Sequence, residues 1–222
     1  MTRAQLPASP RRVTLTMRRR VLPLSLALLS SACARQVLST VPAPSARIAT
    51  GGASRGPVPT RGALSSSETV NYILGRGLLV PVAGVAVSQL SDTFDEGRDD
   101  GRVHRALDIL APRGTPVLAA DDGRVLRVRP NALGGNSVYT TDPEGRVVYY
   151  YAHLDAYQPG LTEGATIARG DVLGIVGTTG NAPKDTPHLH FQVMRMPSDG
   201  KYWDGEAINP YPLFLLLHAA RP

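Results

Sequence analysis

From Val80 onward, short apolar or alternating runs recur between clusters of Gly, Pro, Asp and Asn. Thr115–Ala120, Gly123–Val128, Asn136–Thr140, Arg146–His153, Asp171–Val176 and His188–Met194 each read as a strand. In such runs a period of two sends successive side chains to opposite faces of a sheet. Asp122-Gly123, Gly134-Gly135 and Glu144-Gly145 read as turns between them. No long stretch of this region carries a helical period, so the pattern predicts an all-β fold, a mostly antiparallel sandwich or barrel-like sheet. Glu68–Leu79 reads as a short helix or an extended lead-in, and Leu213–His218 as a closing turn or short helix. There is no internal repeat.

The pattern before Val80 is different. Arg18, Arg19 and Arg20 precede an apolar run, Val21–Leu29, and then the small residues Ser30, Ser31 and Ala32 before Cys33. Basic, apolar and small segments in that order describe a secretory signal, which assigns residues 1–33 to a leader. The run is far short of the ~20 apolar residues that span a bilayer, so a permanent transmembrane helix is not expected. Met17, just ahead of the arginines, is an alternative start. Cys33 is the chain's single cysteine and excludes an internal disulfide. Ser-Ser-Ala-Cys resembles a lipobox, which would make Cys33 a lipid anchor to the membrane; Ala32-Cys33-Ala34 also fits ordinary signal cleavage. Both readings export the protein, to the periplasm as a lipoprotein or as a soluble secreted chain. Residues 34–67, rich in Ala, Ser, Pro, Gly and Arg, read as a disordered linker, because such a composition buries too little apolar surface to offset its ordering entropy. One domain is left for residues 68–222, with its core at about 80–212.

Charge changes the picture only by where it lies. The net charge is +6, but residues 1–84 hold 11 of the 24 basic residues and a single acid, Glu68. The remaining 138 residues carry 13 basic residues against 17 acids. The basic excess therefore belongs to the leader and linker, and no nucleic-acid partner is expected. The domain is expected to act as a monomer.

Four of the five histidines fall into patterns with chemical meaning. His104 and Asp108 form an H-x-x-x-D pair; His188 and His190 form H-x-H; His153 closes the run Tyr149-Tyr-Tyr-Ala-His153. On a strand, His188 and His190 project from one face while Leu189 points into the core. Both can face a metal, or one can bind it while the other faces a substrate. Two imidazoles and a carboxylate together make the three-ligand set of a catalytic zinc site with one position left for water.

Gly101–Val117 (GRVHRALDILAPRGTPV), Tyr150–Leu154 (YYAHL) and Gly177–Phe191 (GTTGNAPKDTPHLHF) resemble, in that order, the lysostaphin/LytM-type zinc metallopeptidases, over about residues 80–212. The resemblance implies a mostly antiparallel β fold with a substrate groove and Zn2+ as cofactor. It also implies hydrolysis of the peptide cross-links of peptidoglycan. Carried over residue by residue, it implies His104, Asp108 and His190 as metal ligands, with His153 and His188 lining the site and assisting catalysis. Two positions depart from the family pattern. Ala106 stands where Gly is usual, which matters if the backbone there needs a positive φ. Gln192 stands where Glu is frequent.

Two rival readings remain. A non-catalytic relative would bind zinc and activate another cell-wall hydrolase; the full complement of ligands and accessory histidines argues against it. A biotinyl/lipoyl-like or phosphocarrier module is suggested by Gly114–Val128, but neither Lys184 nor Lys201 lies in that hairpin, and a leader suits no phosphocarrier. Tyr151 is expected to pack within its strand, and the Gly174–Asn181 loop to form a turn at the groove, since it lacks a phosphate-binding pattern. His218 has no motif partner.

Overall fold

In a computed structural model, residues 64–98 and 101–220 are described. The leader and all of the proposed linker except its last four residues lie outside them. Helix α1 spans Ser66–Arg76 and starts where a reciprocal cap permits: Glu68 N donates to Ser65 Oγ (3.3 Å), and Ser65 N donates to Glu68 Oε2 (2.7 Å). That cap moves Ser66 and Ser67 from the stretch read as linker into the helix.

Among the described residues nine strands follow: β1 (Leu107–Leu110), β2 (Pro116–Leu118), β3 (Gly123–Val128), β4 (Asn136–Thr141), β5 (Val147–Tyr157), β6 (Thr166–Ile167), β7 (Val172–Val176), β8 (His188–Arg195) and β9 (Glu206–Ile208). Helix α2, Pro210–Ala219, closes the chain with Asn209 as its cap and Pro210 at its first position, where a missing N–H costs nothing. Among the described residues, no helix is long and apolar enough to cross a membrane.

The strands form one sheet in the order β1-β8-β5-β4-β3-β6, with β9 beside β8 and a branch from β5 through β7 to β2. Every pairing is antiparallel, as the alternating pattern predicts. All six strands read from the sequence are present. Strands β1, β6 and β9 go beyond them: each has four residues or fewer, too few to show a period.

Strand β5 organises the sheet, and both of its faces are buried. Tyr149 and Tyr151 point into the main core with Leu107, Ile109, Leu189 and Phe191, and Phe214 of α2 covers them. Val148, Tyr150 and Ala152 point the other way into a smaller cluster with Met194. Two buried sides explain why five consecutive residues, Val147–Tyr151, are apolar or aromatic with no polar alternation. The strand also runs past His153, where it was expected to stop. At His153 the backbone takes φ 64, pairing shifts register, and beyond it β5 pairs with β7.

Candidate metal centre

His104 rides on an irregular hairpin. Its N–H donates to Glu96 O (2.9 Å), Arg105 N donates to Phe94 O (2.8 Å), and Arg98 N donates to Arg102 O (2.9 Å). Thr93, at the base of this hairpin, orients two candidate ligands. His104 Nδ1 donates to the Thr93 carbonyl (2.8 Å), and the Thr93 hydroxyl accepts from Asp108 N (2.9 Å) while donating to Ala106 O (3.3 Å). The left-handed residue of this loop is Arg105, at φ 58, and not Ala106. The Ala106 methyl is fully buried, so the departure from Gly there does not ask an alanine to adopt a positive φ. Arg105 is held by Asp95 (3.2 Å) and by stacking over Phe94.

Asp108 on β1 and His190 on β8 are direct cross-strand partners, and His190 is in turn opposite Ala152 on β5. The sheet register, not the sequence spacing, brings residues 82 positions apart together. Leu189 between the two histidines is fully buried, as the alternation requires.

Donor atoms of His104, Asp108 and His190 all lie within 4.8 Å of one another. His104 Nε2 is 3.0 Å from Asp108 Oδ1 and 2.9 Å from His190 Nδ1, and His190 Nδ1 is 3.3 Å from Asp108 Oδ1. Asp108 Oδ2 is occupied by Arg98 Nη2 (2.8 Å). Oδ1 is different: it is buried and has no hydrogen-bond donor, although three imidazole nitrogens, counting His188 Nε2 at 3.7 Å, surround it. The cause is tautomeric. With its Nδ1–H committed to Thr93 O, a neutral His104 turns a lone pair on Nε2 toward a carboxylate lone pair. An orphaned buried oxygen among imidazole nitrogens suits a cation, and two nitrogens plus one oxygen are a donor set that fits zinc with a position to spare.

The electrostatics agree. Burial works against the charge on Asp108, but the imidazoles of His104 and His190, when they carry a proton and positive charge, hold its carboxyl well below the usual carboxylate range, as a bound cation would. Burial pushes His190 down against the pull of Asp108. Burial and the neighbouring His190 push His153 down to about 4. His153 and His190 are therefore neutral at pH 7.

The other two histidines stand beside the cluster. His153 and His188 have ring centroids 5.0 Å apart, and His153 is 5.6 Å from His190. His153 Nδ1 is bonded to Thr179 O and His188 Nδ1 to Thr186 O, both at 2.8 Å, leaving each Nε2 for the site. The Thr179 turn is seated by close backbone contact. Gly135 and Gly180 both have positive φ, and a Cβ on either would come within 2.3 Å of the other's nitrogen.

Tyr151 belongs to the core, as expected: it is fully buried and its hydroxyl accepts from Ala120 N (2.9 Å). His218 lies exposed on α2, away from the cluster. Gln192 sits half-buried on the outer face opposite Tyr150, and nothing in the structure explains its place there. Thr93 and Arg98 were missed by the sequence reading; neither belongs to a motif, and they reach the site only through the hairpin's fold.

Comparison with known proteins adds a family match. Residues 102–210 match the family described as Peptidase family M23. The DD-carboxypeptidase/endopeptidase Mpg of Neisseria meningitidis serogroup B is 34% identical over 114 residues, covering 51% of this chain and 23% of that protein. The L-Ala–D-Glu endopeptidase of Bacillus subtilis is 31% identical over 128 residues, covering 54% of this chain and 37% of that protein. The chain thus spans well under half the length of these relatives. The catalytic domain of lysostaphin from Staphylococcus simulans overlays with a TM-score of 0.45 at 23% identity, covering 68% of this chain and 99% of that one.

Proposed function

Residues 102–210 belong to peptidase family M23, and from that premise we propose that the protein is a zinc endopeptidase hydrolysing peptide cross-links of bacterial peptidoglycan. One observation carries the reading: Asp108 Oδ1, buried without a donor, lies among three imidazole nitrogens. Relatives named as peptidoglycan endopeptidases, such as ShyB of Vibrio cholerae at 33% identity, support the substrate class.

His104 Nε2, Asp108 Oδ1 and His190 Nδ1 are the atoms that would hold the metal. Zinc so held acidifies water toward a pKa of ~7 and polarises a peptide carbonyl. The rest is the work of the chain's own groups. Arg98 occupies Asp108 Oδ2, so that Oδ1 alone faces the cluster. Thr179 O and Thr186 O take the Nδ1 protons of His153 and His188, which leaves each neutral ring a lone pair at Nε2. Such a lone pair accepts a proton from the attacking water and returns it to the leaving amine. Either His153 or His188 can be that acceptor, with the other orienting the water.

The leader ending at Cys33 supports export to the periplasm with lipid attachment.

The test is muropeptide release from purified peptidoglycan by the mature chain carrying one zinc. His190→Ala is expected to lose both zinc and cleavage; His188→Ala is expected to keep zinc and lose cleavage. Zinc binding without cleavage of any of several wall types would replace this reading with that of a hydrolase activator.

A further inference from the structure

The outer face of the sheet carries a row of aromatic rings that the hydrolytic chemistry does not use. It starts at His190, whose ring is 6.0 Å from Tyr150. Tyr139 follows at 4.3 Å from Tyr150, Tyr202 at 5.2 Å from Tyr139, and Trp203 at 5.0 Å from Tyr202. Exposure rises along the row. Tyr150 is buried and its hydroxyl accepts from Asn131 Nδ2 (2.8 Å); Tyr139 and Tyr202 are half-buried; Trp203 is 54% exposed. The indole stands at 88° to the Tyr202 ring, a contact that props it while leaving much of its surface to solvent. The loop carrying it, between β8 and β9, also walls an open cavity of about 420 Å³ lined by Arg195, Met196, Ser198, Asp204 and Glu206.

We infer that Trp203 and this loop bind an N-acetylated sugar of the glycan strand that carries the peptide being cut. The inference rests on the peptidoglycan reading above and deepens it. Reach is the first argument. The four ring separations put Trp203 within about 20 Å of His190, and four to six extended residues span about 13–20 Å. The indole therefore lies within reach of a sugar one stem peptide away from the scissile bond. Chemistry is the second. The apolar face of a pyranose stacks on a flat indole, while acetamide and hydroxyl groups need polar partners close by. Ser198, Asp204 and the Arg195–Glu206 pair line a cavity of the size that small ligands occupy, which Trp203 adjoins in sequence through Asp204 without lining it. Continuity is the third: the row starts at a candidate metal ligand, so one face of the sheet would serve both peptide and sugar.

Trp203 is the chain's single tryptophan, so its fluorescence reports this position alone and needs no activity. The full chain, free of metal, is titrated with an N-acetylglucosamine tetramer, a glucose tetramer and a sugar-free stem peptide. A saturable change with the first alone is expected; no change, or a response only to the stem peptide, overturns the inference. In the zinc-loaded protein, Trp203→Ala should lower kcat/KM about 10-fold on a glycan-bearing cross-linked muropeptide. On the same peptide stripped of sugar the change should be under about 2-fold, and Trp203→Phe should recover most of the loss. Equal losses on both substrates would assign Trp203 to the peptide or to the fold and reject the sugar site. Saturable sugar binding by a wild type that cleaves no wall would defeat the endopeptidase reading and leave the sugar site standing.

Discussion

Two carboxylates of this domain, Asp121 and Asp108, have opposite surroundings. Asp121 is fastened on both oxygens. Arg76 Nε donates to Oδ2 (2.6 Å) and Arg76 Nη2 to Oδ1 (3.0 Å), Arg169 Nη2 adds 2.8 Å to Oδ1, and Tyr149 OH adds 3.1 Å to Oδ2. Arg169 also donates to Arg76 O, so the end of α1, the turn at residues 121–122 and the turn before β7 are tied at one point. Asp108 instead has one oxygen held by Arg98 and the other without a donor among imidazole nitrogens. Burial alone therefore does not identify a functional carboxylate. A group whose hydrogen-bonding capacity is filled is a fastener, whereas one that stays unfilled in a polar pocket marks where an external ligand belongs.

Replacing each carboxylate should separate the two roles. Asp108→Asn is expected to abolish stoichiometric zinc and lower wall cleavage by more than about 10³-fold, with the metal-free melting temperature unchanged or raised. A metal-free protein that melts much earlier would make Asp108 a fastener too. For Asp121→Ala the expectation reverses. Two guanidinium groups lose their counter-charge, so stability should drop by about 3 kcal/mol, while zinc per folded chain stays at one. Denaturant unfolding beside metal analysis measures both quantities, and loss of zinc in this variant would merge the two regions.

Thr93→Val strikes the neutral support of the centre. It strands Asp108 N and Ala106 O and should weaken zinc about 10- to 100-fold, with a stability loss of roughly 1–2 kcal/mol. Competition with a chelator gives the first figure; an unchanged affinity would mean that the backbone alone orients Asp108.

The smallest effect is in pH. Burial disfavours the charge on Asp121, but the bonds from Arg76 and Arg169 prevail and hold its carboxyl below the ordinary 3.8. A depressed carboxyl contributes stability that is complete above its unfolded value and is lost as pH falls through the folded value. Metal-free wild type should therefore lose more stability than Asp121→Ala between about pH 5 and 3. Parallel acid melting curves for the two proteins would show that Asp121 does not titrate across unfolding.

Much of the candidate site was legible because the residues that could hold a metal are chemically rare. Few histidines occur, and H-x-H on a strand places both on one face whatever the rest of the fold does. The supporting groups were not legible. Thr93 and Arg98 are ordinary residues made useful by the hairpin leading to His104, and β1 is too short to show a period. The left-handed backbone at Arg105 and His153 also escaped notice, since neither residue type announces a positive φ.

By itself, then, the sequence determined the alternation of the strands, the residues able to bind metal and the side of β8 they share, because these depend on residue chemistry and a period of two. Tertiary structure decided that Asp108 faces His190, that distant carbonyls set the tautomers of three histidines, and that Asp121 is saturated while Oδ1 of Asp108 is left open. Those outcomes depend on sheet register and on hydrogen bonds between segments far apart in the chain, which no local pattern encodes.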